Sequence, residues 1–230
     1  ILKRCKTNSR KRVLQAIADN EKICVYSDYD SDGIPGAVVF HDFLKLIEYK
    51  NFFHYIPHRH DEGFGLHSEA IESISKDGAK FLITIDCGIV DVAEVAHARS
   101  LGMDVIVTDH HLPSDVLPDA IAILDPKQLG CEYPFKELCG SGVIFKLVQA
   151  LIERGNFGLT PGKEKWLLDM VGIATCADMV PLVGENRALA HFGLTVLRKS
   201  PRRGLQKLFK NMKMNQAHLT EDDIGFTISP

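Results

Sequence analysis

The chain has 230 residues, enough for one large domain with a substantial core, and its composition (45% hydrophobic, 25% charged) is that of an ordinary globular protein. A net charge of −3 excludes a global basic field, so any nucleic-acid site must be local. No apolar run reaches the ~18 residues of a membrane span, no signal peptide is visible, and Cys5, Cys24, Cys87, Cys131, Cys139 and Cys176 form no CxxC pair, as expected of reduced thiols in a cytoplasmic protein.

The chain opens on Ile1 and closes on Ile224–Pro230 without an obvious stop, which reads as a piece of a longer protein. Lys3, Arg4, Lys6, Arg10, Lys11 and Arg12 form a basic cluster, either a solvated helix start or a phosphate contact, with Ser9 as the cap of a helix running to about Asn20. Strand-like runs follow at 22–27, 52–56, 81–85, 104–108 and 121–124, separated by helical patterns at about 34–49, 67–77 and 91–101. This alternation predicts an α/β fold, a parallel doubly wound sheet of about five strands flanked by helices. Phe81–Ile85 of the third run and Val105–Thr108 of the fourth read as apolar throughout, as strands covered on both faces are.

Beyond about residue 130 the pattern turns helical, dividing the chain into an α/β core (about 1–130) and a mostly helical part (about 131–230). Gly140-Ser141-Gly142 opens a helix that carries Lys146; small residues there would let N–H groups approach an anion, although neither a P-loop nor a dinucleotide fingerprint is present. Asp178 lies among apolar neighbours, either as a buried carboxylate needing a charge partner or metal, or as the cap of a helix starting near Gly184. Residues 198–213 hold Arg198, Lys199, Arg202, Arg203, Lys207, Lys210 and Lys213 and no acidic residue: a basic amphipathic helix that suits a phosphate backbone or a solvated face.

The chemistry concentrates at the strand ends. The first run leads to Asp28, Asp30 and Asp32, the second to His58-Arg59-His60, the third to Asp86, the fourth to Asp109-His110-His111 and the fifth to Asp125. A parallel sheet places all of these along one edge, where open α/β folds bind ligands. Taken alone, Asp-x-Asp-x-Asp-Gly is as compatible with a solvated turn as with a cation site, but an EF-hand is excluded because Val39 stands at its twelfth position. Asp28, Asp30, Asp32, Asp86 and Asp178 with His110 or His111 make a mixed oxygen and nitrogen set that suits two Mn²⁺ or Mg²⁺ ions. Phosphoester hydrolysis is the reaction class such a set serves, and the absence of a G-x-S-x-G elbow disfavours a serine hydrolase.

Five segments, Ser27–Gly33, Ile85–Gly88, Thr108–His111, Gly140–Lys146 and Ala177–Leu182, resemble in order the motifs of the DHH phosphoesterase superfamily. Within it the chain looks like the RecJ branch of 5′→3′ single-strand-specific DNA exonucleases, since Tyr26 stands where other branches usually carry histidine and Asp28 offers itself as the substitute ligand. The resemblance implies Asp28 and Asp30 at one metal site, Asp32, His110 and Asp178 at the other, and Asp86 bridging. It implies that His111 contacts the scissile phosphate, that Asp109 orients the histidine, and that Arg59, Gly140, Ser141, Gly142 and Lys146 bind substrate. Asp125, where Asn is common, Ala174, where Gly is common, and the histidines flanking Arg59 depart from the pattern without removing a ligand.

The same resemblance implies a role in DNA repair or recombination, a monomer, and a repair helicase or single-strand-binding protein as partner. It also implies a second, DHHA1-type domain after this segment. The rival readings are a family enzyme for short oligonucleotides or small phosphoesters, and a non-catalytic replication scaffold.

Overall fold

The computed structural model describes residues 2–229, with side chains described from residue 8 onward. The Lys3, Arg4 and Lys6 part of the basic cluster therefore lies outside the described side chains. Five strands, β1 (Ile23–Ser27), β2 (Phe52–Tyr55), β3 (Phe81–Ile85), β4 (Asp104–Thr108) and β5 (Ala122–Leu124), form one sheet. All neighbours are parallel and the order is β2-β1-β3-β4-β5. The chain leaves β1 in one direction to make β2 and returns to its other side for β3, so the crevice between the ends of β1 and β3 is the topological switch point.

Period-two alternation distributes the strand side chains to two cores. Ile23, Val25, Phe81, Ile83 and Ile85 face one side, where α1 (Leu2–Ala18), α2 (Gly33–Leu46) and α5 (Gly140–Gly155) cover them. Cys24, Tyr26 and Leu82 face the other, under α3 (Ser68–Lys76) and α4 (Val92–Ser100). Both layers are closely covered: Phe40, Phe43, Phe81 and Ile85 on the first side and Tyr26, Ile71 and Leu82 on the second are fully buried, and each such side chain contributes about 1.5–3 kcal/mol. The helix α1 starts at Leu2, so Ser9 is a buried residue within it and not its cap.

The helical part begins with α5 and continues through α6 (Leu168–Ala177), α7 (Gly184–Leu197) and α8 (Arg203–Asn211). A Cβ on Gly172 would lie 2.7 Å from the Cα of Gly193, so only glycines let α6 and α7 cross this closely. Buried Asp169 accepts from Ser200 Oγ (2.7 Å) and from Arg202 Nε (2.7 Å), and Arg202 reaches Asp42 through Nη1 (2.5 Å). This network ties α2, α6 and the approach to α8 together, and removing one partner of such a pair typically costs ~3–5 kcal/mol. The basic helix is shorter than its 198–213 pattern, because Arg198–Ser200 turn out of α7 and Pro201 interrupts the chain. Among the described residues no helix is long and apolar enough to cross a membrane.

Candidate metal centre

The segment after β1 folds back over the sheet edge. Asp30 Oδ1 accepts from the N–H groups of Asp32 and Gly33 (both 2.8 Å), closing the turn that starts α2. Asp32, 1% exposed, is held by α5: the N–H groups of Gly140 and Ser141 donate to its two carboxylate oxygens (2.6 and 2.7 Å), and Ser141 Oγ donates to its carbonyl (2.7 Å). A helix N-terminus is a natural anion site, and here the anion is the protein's own aspartate.

Gly140, Ser141, Gly142 and Lys146, expected to bind substrate, are placed in contacts within the protein. The first two N–H groups are taken by Asp32, and the Gly142 N–H faces the Cys139 thiol. Lys146 pairs with Glu185 at 2.7 Å, about two turns along α5 from its start.

Across the switch point, β3 ends in Asp86, whose N–H donates to Thr108 O (2.9 Å) and whose φ of 63° is left-handed. A Cβ on Gly140 would lie 2.6 Å from Asp86 Oδ1, so the glycine is what lets α5 approach the carboxylate. From the end of β4, His110 Nε2 stands 3.1 Å from Asp86 Oδ1 and 3.7 Å from both Asp32 Oδ2 and Asp178 Oδ2. Asp178 arrives from the C-terminal end of α6 and not as the cap of α7, whose N-cap is Val183.

Three overlapping triads result: Asp28, Asp30 and Asp86; Asp32, His110 and Asp178; and Asp86, His110 and His111, each with ligand atoms within 4.8 Å of one another. Asp86 and His110 are the members that join them.

The electrostatics of this cluster are those of a site built for cations. Burial, and then repulsion from Asp32 and Asp30, hold the Asp86 carboxyl well above the usual range. Burial likewise raises Asp32 and Asp178, and pushes Asp28 up to about 6. Burial lowers His110, which favours the neutral imidazole, whose one unprotonated nitrogen has a lone pair to offer. Asp28 Oδ1, Asp86 Oδ1, Asp178 Oδ2 and both His110 nitrogens are buried without a hydrogen-bond partner. Native interiors hold only a few such orphans per hundred residues, and five converging on one crevice fit divalent ions of the oxygen- and imidazole-binding kind.

His111 is different. Its Nδ1 meets Asp109 Oδ1 at 2.7 Å, and that hydrogen bond raises the imidazole's affinity for its proton. Asp109 also accepts from the N–H groups of Ile89 (2.9 Å), His110 (2.7 Å) and His111 (3.2 Å). Burial raises its carboxyl, but these donors together bring it below the usual range.

Around the mouth, the Arg59 guanidinium lies 4.3 Å over the Tyr29 ring, and exposed Phe64 packs edge-on to His111 at 5.3 Å. Asp91, which sequence reasoning missed, and Tyr26, noted there only as standing in a histidine's place, hold this rim. Asp91 Oδ2 accepts from Leu66 N (2.9 Å) and Tyr26 Oη donates to Gly65 O (2.8 Å), fixing the Gly63–Leu66 loop. Asp91 opens α4 and so looks like a helix cap, yet its side chain makes no cap hydrogen bond. Asp125 joins none of the triads; it accepts from Lys127 N (2.6 Å), and burial pushes it up to about 7.

Residues 22–175 match the DHH family, N-terminal domain. The chain is 46% identical over 220 residues to the single-stranded-DNA-specific exonuclease RecJ of Bacillus subtilis, covering 95% of this chain and 27% of that protein. It is 36% identical to RecJ of Salmonella typhimurium, covering 97% of this chain and 40% of that one. Among solved structures, exonuclease RecJ bound to manganese superposes with a TM-score of 0.84 at 32% identity, over 97% of this chain and 55% of the other. RecJ of Thermus thermophilus with Mn²⁺ gives 0.80 at 28%, over 98% and 32%. The chain thus spans between 27% and 40% of these two curated relatives.

Proposed function

The chain belongs to the DHH family, and from that premise we propose that it is the catalytic portion of a metal-dependent 5′→3′ exonuclease acting on single-stranded DNA in repair or recombination. The observation that carries this reading is the convergence of six ligand side chains, with orphaned buried oxygens and nitrogens, on one crevice at the sheet's switch point. The names of the similar proteins supply the substrate.

In this reading Asp28 and Asp30 would hold one ion and Asp32, His110 and Asp178 a second, with Asp86 as a ligand shared by both sets. Mn²⁺ or Mg²⁺ held there would supply charge neutralisation at the phosphoryl oxygens and a more acidic water. The chain's own groups do the rest. Asp109 fixes the orientation of His111 and stabilises its charged form, so its other nitrogen is a donor for a phosphate oxygen. The N–H groups of Gly140 and Ser141 hold Asp32 so that both its oxygens keep their places. Arg59 sets a cation at the mouth, where its charge is felt at Asp28, and remains a substrate contact in this proposal.

The reading also includes a division near residue 130, supported by the last strand ending at Leu124, and a cytoplasmic monomer that works with a repair helicase or single-strand-binding protein. A 5′-labelled long single strand offered with Mn²⁺ beside a dinucleotide tests it. Stepwise release from the 5′ end of the long strand is expected, and turnover of the dinucleotide alone would place the chain among the small-phosphoester hydrolases of the family. No hydrolysis of either would favour the scaffold reading, which the full ligand set opposes.

A further inference from the structure

The helix α6 delivers Asp178 to the metal centre from its C-terminal end; at its other end, ~15 Å away by helical rise, lies a second feature. Two surface grooves, of about 510 and about 500 Å³, meet there with Trp166 in the wall of both. Trp166 is 50% exposed, and Phe192, 55% exposed, lines the second groove. Large rings left open to water on a surface with polar surroundings mark a binding face more often than chance.

Cations surround these rings. Lys199 Nζ stands 5.7 Å from the Trp166 ring centroid, Lys165 lines the second groove, and Lys45 and Lys163 line the first. All four lysines are exposed, and none is ion-paired among the described residues. The acids nearby are occupied: Asp42 and Asp169 by Arg202, Glu185 by Lys146. Glu164, between Lys163 and Lys165, is the remaining negative charge of that turn. The positive surface continues past the grooves along α8, where exposed Arg203, Lys207 and Lys210 share one helical face.

We propose that these grooves are a binding site for single-stranded nucleic acid, separate from the metal centre, in which Trp166 and Phe192 stack bases and Lys45, Lys163, Lys165 and Lys199 neutralise phosphates. Aromatic rings accept any base face, and lysines facing a polyanion release its condensed counterions. An acidic peptide would meet the same lysines. It would not use the cationic track along α8, and it would be served by a closed apolar hole more than by rings exposed over half their surface. A strand gripped at one end of α6 while its terminus lies at the other gains positioning at the reacting phosphate from contacts remote from it. The inference rests on the reading of this chain as one that acts on single-stranded DNA.

Trp166 is the only tryptophan of the 230 residues, so its fluorescence reports the site directly. In the presence of a chelator, where no metal-dependent hydrolysis runs, an oligothymidylate of about 12 nucleotides is expected to quench it saturably. The affinity should fall steeply as salt rises from about 50 to about 200 mM. K165E/K199E should weaken binding at least about tenfold and K165Q/K199Q by less, with unchanged melting because both side chains are exposed.

No quench, or a quench of equal strength in both variants, overturns the proposal. So does quenching by an acidic aromatic peptide and not by the oligonucleotide, which would assign the grooves to a protein partner. Hydrolysis of a labelled single strand with Mn²⁺ is measured separately. Hydrolysis without quenching defeats the grooves alone, and quenching without hydrolysis upholds the grooves while defeating the nuclease reading.

Discussion

At the scale of single residues, Asp86 gathers every cost that a structural position would avoid. It is 1% exposed, sits at a φ of 63°, and leaves Oδ1 without a hydrogen-bond partner although His110 Nε2 is 3.1 Å away. A left-handed non-glycine residue stores ~1–3 kcal/mol, and a buried carboxylate facing other carboxylates adds repulsion. Asparagine keeps the size and tolerates the same backbone, so Asp86→Asn should relieve that repulsion. In chelator the variant is expected to match or exceed the parent in urea-unfolding stability, by up to ~1–2 kcal/mol. Its Mn²⁺-dependent hydrolysis should fall by at least about 10³-fold. A variant destabilised without metal would show that Asp86 supports the fold and not the ions. Asp109 offers the contrast: it accepts from three backbone N–H groups and from His111, so its charge is already satisfied by the fold. The spacing of Asp28, Asp30 and Asp32 and the Asp109-His110-His111 triplet are legible as residues. The backbone twist at Asp86 is not, because it follows from the register of β3 on β4, which only the folded sheet defines.

At the scale of elements, the strands fall within two residues of their periodicity, since apolar runs bounded by charged turns leave little freedom in a sheet covered on both faces. Helix ends were less legible. Ser9 has the chemistry of a cap, yet α1 starts at Leu2 and runs through it, and Ser9 lies buried on the same helical face as Val13 and Ala16, four and seven positions on. The start of α5 shows a subtler gap. Three small residues announce an anion at this N-terminus, but sequence does not reveal that the anion is Asp32, 108 positions earlier than Gly140. A test follows from that contact. In Gly140→Ala the new Cβ would meet Asp86 Oδ1 at 2.6 Å and its Cβ at 2.7 Å, so α5 must retreat or Asp86 must turn. Either movement loosens the grip on Asp32. The variant should lose ~1–3 kcal/mol of stability and about 10²-fold or more in hydrolysis, out of proportion to its melting change. Equal activity in a folded Gly140→Ala protein would show that the approach of α5 to Asp86 is not needed for the site.

At the scale of the whole molecule, the ligands come from both parts of the chain. Asp28, Asp30, Asp32, Asp86 and His110 follow strands, whereas Asp178 follows α6 in the helical part. Ions bound among them would therefore act as cross-links between the sheet edge and the helices, and metal binding should appear as folding stability. Anything that binds only the native state stabilises it by RT ln(1 + [L]/Kd), which is about 2.7 kcal/mol at a hundredfold excess over Kd. For a chain of this size each kcal/mol moves the midpoint by roughly 2–4 °C, so saturating Mn²⁺ should raise it by about 5–10 °C over the chelated protein. The rise should shrink in Asp178→Asn as well as in Asp86→Asn, because either change weakens the link, and it should persist in K165E/K199E, which lies at the far end of α6. This measurement separates two questions that hydrolysis confounds. The chain covers 27% and 40% of two curated relatives, and hydrolysis depends on the grip on the strand as well as on the ions. A metal-dependent shift that Asp178→Asn abolishes belongs to this chain alone. A midpoint indifferent to Mn²⁺ in the parent protein would mean that the six side chains meet without holding an ion, and the two-metal reading would fall whatever the activity.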